Sequence, residues 1–107
     1  MKASISHDEA VIAKLRENPS FAAEYLNAVL DDADEPEVLL VALRRIAEAR
    51  GGIANVAKAA GIERQSLYRA LSPSGNPRLS TLVAVTRAIG LKLTVAVPTA
   101  TRRRRKG

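Results

Sequence analysis

Arg64, Gln65, Ser66 and Arg69 lie close together on one short segment, which also carries Tyr68. A Gln can bond bidentately to adenine, an Arg to guanine or to phosphate, and a Ser to either. Side chains of these types read nucleic-acid edges when one rigid element presents them together. The other candidates for chemistry do not assemble. His7 is the single His and has no paired base, so it reads as a solvated first-turn residue rather than a catalyst. Asp31, Asp32, Asp34, Glu35 and Glu37 lack the glycine and ligand spacing of a calcium loop, and Pro36 among them marks a helix start. Ser80 and Thr81 read as capping residues. With no nucleophile, base and oxyanion donors in sight, the sequence predicts a protein that is not an enzyme and uses no metal and no cofactor.

The element that must present Arg64 to Arg69 is legible in residues 53–71. Two short helices that cross steeply through a turn of three or four residues need small side chains at fixed places. Ala57 lets the second helix approach closely, and Gly61 sits in the turn, where a left-handed backbone is cheapest for Gly. Val56, Ala60, Ile62, Leu67 and Ala70 fall on the inward face. Arg64, Gln65, Ser66, Arg69 and Tyr68 are left facing outward.

Around this pair the chain reads as further helices. Ser6-His7-Asp8-Glu9 has the form of a capping box and predicts a helix over 7–17, with Val11, Ile12 and Leu15 on one side. Asn18-Pro19 ends it, and Pro19 opens a second helix over 19–31 carrying Phe21, Ala22, Tyr25, Leu26 and Val29. A third helix, 35–50, is expected with Asp34 as N-cap and with Val38, Leu39, Ala42, Leu43, Ile46 and Ala47 as its apolar stripe, stopped by Gly51-Gly52. Residues 72–77, Ser-Pro-Ser-Gly-Asn-Pro, are a loop. Ser80 is expected to cap a helix over 80–89 that Gly90 closes. Residues 91–97 then alternate and are β-branched, which predicts a single C-terminal β-strand. A lone strand cannot satisfy its own backbone groups, so it is expected to pair with a second copy or a partner chain, or else to pack as an extended arm on its own domain.

Composition narrows the function classes. The chain has 107 residues, enough for one domain, and a 47% apolar fraction that suits a packed core. Without Cys it has no disulfide frame, thiolate metal site or thiol nucleophile. Phe21, Tyr25 and Tyr68 are its three aromatics, too few for a single-strand stacking platform. No apolar run approaches the roughly 20 residues of a membrane helix, and Met1-Lys2-Ala3-Ser4 leads into polar sequence, so a cytoplasmic location without membrane contact is expected. Charge is segregated. Residues 1–37 carry three basic and nine acidic residues, a net −6, whereas residues 38–107 carry fourteen basic and two acidic, a net +12. An acidic head and a basic body imply two partners of opposite sign.

Residues 36–97 resemble the Xre/Cro-type helix-turn-helix family. More narrowly, Asp8 to Val97 resembles the addiction-module antidote proteins, the HigA-like antitoxins. The resemblance rests on Phe21-Ala22-Ala23-Glu24-Tyr25-Leu26-Asn27-Ala28, on residues 43–52, on Val56-Ala57-Lys58-Ala59-Ala60-Gly61-Ile62, and on Ser66-Leu67-Tyr68-Arg69-Ala70-Leu71-Ser72 with Gly75-Asn76-Pro77. One departure stands out. The position opening the recognition helix, commonly Ser or Thr in the family, is Glu63, which caps less well and would repel phosphate.

The resemblance implies an all-α domain of five to six helices with the single C-terminal strand. With the charge pattern it divides the chain into an acidic helical extension (1–37) that is the candidate toxin-binding region and a helix-turn-helix core plus strand (38–97), while the basic tail (98–107), expected to be disordered, lies outside the resemblance. It implies an antitoxin of a type II toxin–antitoxin system that neutralises a RelE/ParE-like toxin. It also implies binding of double-stranded operator DNA as a homodimeric autorepressor. Carried onto this chain, Arg64, Gln65, Ser66 and Arg69 stand at the groove, and Arg44, Arg45, Lys58 and Arg78 become candidate phosphate contacts. RelE/ParE-like toxins are basic, which suits the −6 head. The alternative is a stand-alone Xre-type transcriptional repressor, and a third reading is an RNA- or protein-binding module that uses the Arg102-to-Lys106 tail. Residues 91–97 are the expected dimer contact.

Overall fold

A computed structural model describes residues 7–32 and 35–97. The expected caps Ser6 and Asp34 and the basic tail 98–107 lie outside the described residues. Six helices follow one another among those described: α1 (His7–Glu17), α2 (Pro19–Asp32), α3 (Pro36–Ala49), α4 (Ile53–Ala60), α5 (Arg64–Ala70) and α6 (Leu79–Ala88). Asn18 both ends α1 and starts α2. Its backbone N–H donates to Lys14 O, and its side-chain oxygen accepts from the Phe21 N–H at 3.1 Å. Pro36 sits in the first turn of α3, where its missing N–H costs nothing.

Three of the helices end in the same way. Ile62 N–H donates to Ala57 O, Leu91 N–H to Thr86 O, and Gly52 N–H to Ala47 O. Each is a six-residue reverse bond that satisfies a carbonyl the helix leaves open. The turns after α4 and α6 need a left-handed residue, and Gly61 (φ 73°) and Gly90 (φ 86°) supply it.

One core joins all six helices. Leu15 of α1 and Ala22 of α2 belong to it together with Leu40, Leu43 and Ile46 of α3, Val56 and Ala57 of α4, Leu67 of α5, and Leu71, Val85 and Ile89. α3 is central: α1, α2 and α4 all pack against it. Its buried stripe holds the expected Ala42, Leu43, Ile46 and Ala47, with Leu39 packed beside them. The departure is at its start, where Leu40 is buried and Val38 is exposed.

Arg50, just past α3, ties the head to the body. Its Nε donates to Ile89 O at 2.7 Å and its Nη1 to Leu15 O at 3.2 Å. Both carbonyls lie at helix C-terminal ends, where a cation also meets the negative end of the dipole.

Three expectations need correction. The N-cap of α3 is Glu35, not Asp34, and its side chain makes no cap bond. α6 starts at Leu79, one residue before Ser80, with Arg78 in the N-cap position and no side-chain cap bond. The C-terminal β-strand does not form: residues 91–97 are irregular, and the regular elements among the described residues are all helices. Alternation in the sequence is real, but a strand exists only through a ladder, and among the described residues no other strand is present to provide one. Gly90 turns the chain so that Leu91 packs on the core, Leu93 is half-covered, and Val95 and Val97 stand in solvent.

Candidate nucleic-acid interface

The turn between α4 and α5 is three residues long, Gly61-Ile62-Glu63. Ala57, Val56 and Leu67 are buried at the junction, and Ile62 packs beside them. A larger residue at Ala57 would push the two helices apart. This is the physical reason that so short a helix as α5 holds its orientation: Leu67 and the following Leu71 are both completely buried.

The outward face of α5 carries Arg64, Gln65, Tyr68 and Arg69, all exposed. Arg64, Gln65 and Tyr68 share an open cleft with Ile53 and Ala54 at the start of α4. The cleft therefore has an apolar floor and a polar, cationic rim. Sequence reasoning missed Ile53 and Ala54 as lining residues. Their position in the first turn of α4 was visible, but nothing in their types pointed outward.

Arg44 of α3 reaches this face from behind. Its guanidinium lies over the Tyr68 ring, 4.4 Å from the centroid, and donates to the Tyr68 hydroxyl. Glu48, one turn on, holds the same Arg44 through Nε at 3.5 Å. Tyr68 is thus braced although half of it is exposed. Ser66 is committed elsewhere. Its hydroxyl donates to Glu63 Oε1 at 2.8 Å, so the Glu63 carboxylate binds its own helix side chain and gives α5 no side-chain cap.

The four candidate phosphate contacts do not form one set. Arg44 is joined to Tyr68. Arg45, next in sequence, is about 100° around the helix, half-buried, and has interactions of its own within the fold. Lys58 is exposed on α4, and Arg78 is exposed at the start of α6. No helix among the described residues is long and apolar enough to cross a membrane.

Comparison with known proteins identifies the family of the chain. The family described as "probable addiction module antidote protein" matches residues 7–97. The chain belongs to that family, so its role is that of an antitoxin with a toxin as partner. A protein of Haemophilus influenzae (strain ATCC 51907 / DSM 11121 / KW20 / Rd), described as an uncharacterized protein, is 44% identical over 71 residues, 66% of this chain and 71% of the relative. No solved structure matches the chain.

Proposed function

We propose that this antitoxin neutralises a RelE/ParE-like toxin and, as a homodimer, binds double-stranded operator DNA to repress its own synthesis in the cytoplasm. The observation that carries the DNA part is the α5 surface. Arg64, Gln65, Tyr68 and Arg69 are exposed together on a helix whose other face is buried and whose entry turn is fixed by Gly61. In this reading α4 and α5 form a helix-turn-helix, and the α5 side chains enter the major groove. Lys58, Arg78 and Arg44 serve the phosphates, Arg44 chiefly by holding Tyr68. Two copies present their α5 helices to successive major grooves about 34–36 Å apart.

The antitoxin part rests on the family, and the −6 head supports a basic partner. The protein acts by binding and carries out no reaction. A stand-alone repressor would share the DNA surface, but the family favours the antitoxin.

Two measurements test the reading. Fluorescence anisotropy with a duplex from the promoter of the chain's own operon should show specific binding that Arg69→Ala weakens about tenfold. Co-expression with the neighbouring reading frame should relieve its toxicity and yield a co-purifying complex. Equal affinity for promoter and random DNA would overturn the repressor part, and unrelieved toxicity with no complex would overturn the neutralising part.

A further inference from the structure

The acidic side of the molecule carries a groove that the α4–α5 surface does not use. It lies between α2, α3, α6 and the segment after Gly90, with a volume of about 370 Å³. Leu26 and Leu30 of α2, Leu39 of α3, Leu82 of α6 and Leu93 line it, with Asn27 at one edge. Leu30 is 56% exposed and Leu93 49% exposed, so a leucine-lined surface faces water on both sides of the groove. Isolated exposed leucines are ordinary, but a concave apolar patch of this kind marks a binding site.

The surroundings of the groove are acidic. Glu24 and Asp31 stand one helical turn either side of Asn27, and both are exposed. Glu35 and Glu37, also exposed, open α3 just before Leu39. Lys92 is the basic side chain in the lining. Phosphate is repelled here, which excludes DNA as the occupant. A second copy would set the same acidic rim against itself across a twofold axis, and like charges so placed repel. The chain's own tail has the right sign, Arg102 to Lys106, but after Val97 its apolar side chains are only Pro98 and Ala100, which cannot fill a leucine-lined groove.

We propose that this groove receives the apolar face of a basic amphipathic helix from the toxin. Leucine-sized side chains one turn apart enter between Leu30 and Leu93, and flanking Lys or Arg residues meet Glu24, Asp31 and Glu35. Helix-in-groove docking of this kind draws affinity from the apolar anchors and orientation from the charges. The inference rests on the antitoxin reading and deepens it by assigning the toxin to the α2 groove.

The test uses the full-length chain, a double variant Leu30→Asp with Leu93→Asp, and two probes. One probe is the product of the neighbouring reading frame. The other is a synthetic Leu/Lys amphipathic helical peptide, with its Leu/Glu counterpart as control. Both substituted positions are exposed, so thermal melting should match that of the parent. The expected result is at least a tenfold loss of affinity for the gene product, loss of Leu/Lys peptide binding, and no binding of the Leu/Glu peptide by either protein. If the gene product binds parent and variant equally, the groove assignment fails and the antitoxin reading survives. If the gene product binds neither protein but the Leu/Lys peptide binds the parent alone, the groove stands and the antitoxin reading fails. If neither probe binds, both fail. A tenfold gain on changing Arg102 to Lys106 all to Ser would make the tail the occupant. Conversion of a dimer to a monomer by the double variant would make it a second copy. Either of those results overturns the proposal.

Discussion

Ser66 and Arg69 look equally suited to reading a base when only their types are considered, yet their surroundings separate them. The Ser66 hydroxyl donates to Glu63, and breaking that bond to reach DNA would leave a carboxylate near the phosphates. Arg69 is exposed, and among the described residues no partner of its side chain competes with a base or phosphate. Ser66→Ala should therefore change operator affinity by less than about threefold, against the roughly tenfold loss in Arg69→Ala. Glu63→Gln should raise affinity a few-fold, because it removes a like charge from the groove side of α5 while keeping an acceptor for Ser66. Anisotropy titrations of the three variants on one duplex decide the order. Arg44 belongs to a different kind of residue. Stacked on Tyr68 and held by Glu48, it acts on the interface through the ring it braces.

At the scale of elements, the turns carry more of the fold than the helix propensities do. Gly61 is left-handed, and a side chain there costs about 1–2 kcal/mol in backbone energy alone. Nothing crowds its missing Cβ, so Gly61→Ala should lower stability by that amount without blocking folding. Gly75 is the reverse case. Its backbone is not left-handed, but a Cβ would stand 2.2 Å from Ala70 O. Gly75→Ala must displace the loop that follows α5, and it should cost more than Gly61→Ala in urea denaturation. Arg50→Met removes two charge-assisted bonds to carbonyls, so about 2–3 kcal/mol of stability should be lost, or on the order of 10 °C in melting temperature.

These same turns explain what was legible. Gly61, Gly90 and Pro36 announce themselves by type, and the helices they bound fell where periodicity placed them. Ala57 and Leu67 were readable because a short-turn helix pair tolerates few alternatives. Arg50 was not readable, since its two acceptors lie 35 and 39 residues away and are backbone atoms, which leave no mark on the sequence. The strand over 91–97 was misread for a related reason. Alternation reports which faces a segment could bury, and only tertiary context reports whether a second strand exists to pair with it. The Ser66–Glu63 bond and the Arg44–Tyr68 stack lie between. Their spacing permits them, but rotamers decide them.

On the scale of the whole molecule, the segregated charge makes a prediction that depends on salt. α2 packs on α3, and α5 on α4, with α4 against α3. At about 8–10 Å per packed helix pair, these three pairings put the acidic α2 surface and the cationic α5 surface at most about 24–30 Å apart. The Debye length is about 8 Å at physiological ionic strength and about 30 Å at 0.01 M. In the proposed DNA complex the acidic head is therefore screened from the duplex at physiological salt but within its range in dilute buffer. Glu24→Gln with Asp31→Asn should leave operator affinity unchanged near 0.15 M salt and raise it several-fold near 0.01 M, steepening the plot of log affinity against log salt. Changing Arg102 to Lys106 to Ser should act in the opposite sense. It should lower affinity at every salt concentration and reduce the slope by up to about five contacts' worth, with discrimination between operator and random DNA kept. Toxin association should respond to the first pair of substitutions at both salt concentrations, because Glu24 and Asp31 border the proposed contact itself. A head that altered DNA affinity equally at both salts would mean that α2 touches the duplex. That would contradict the division of the surface into a DNA pole and a protein pole.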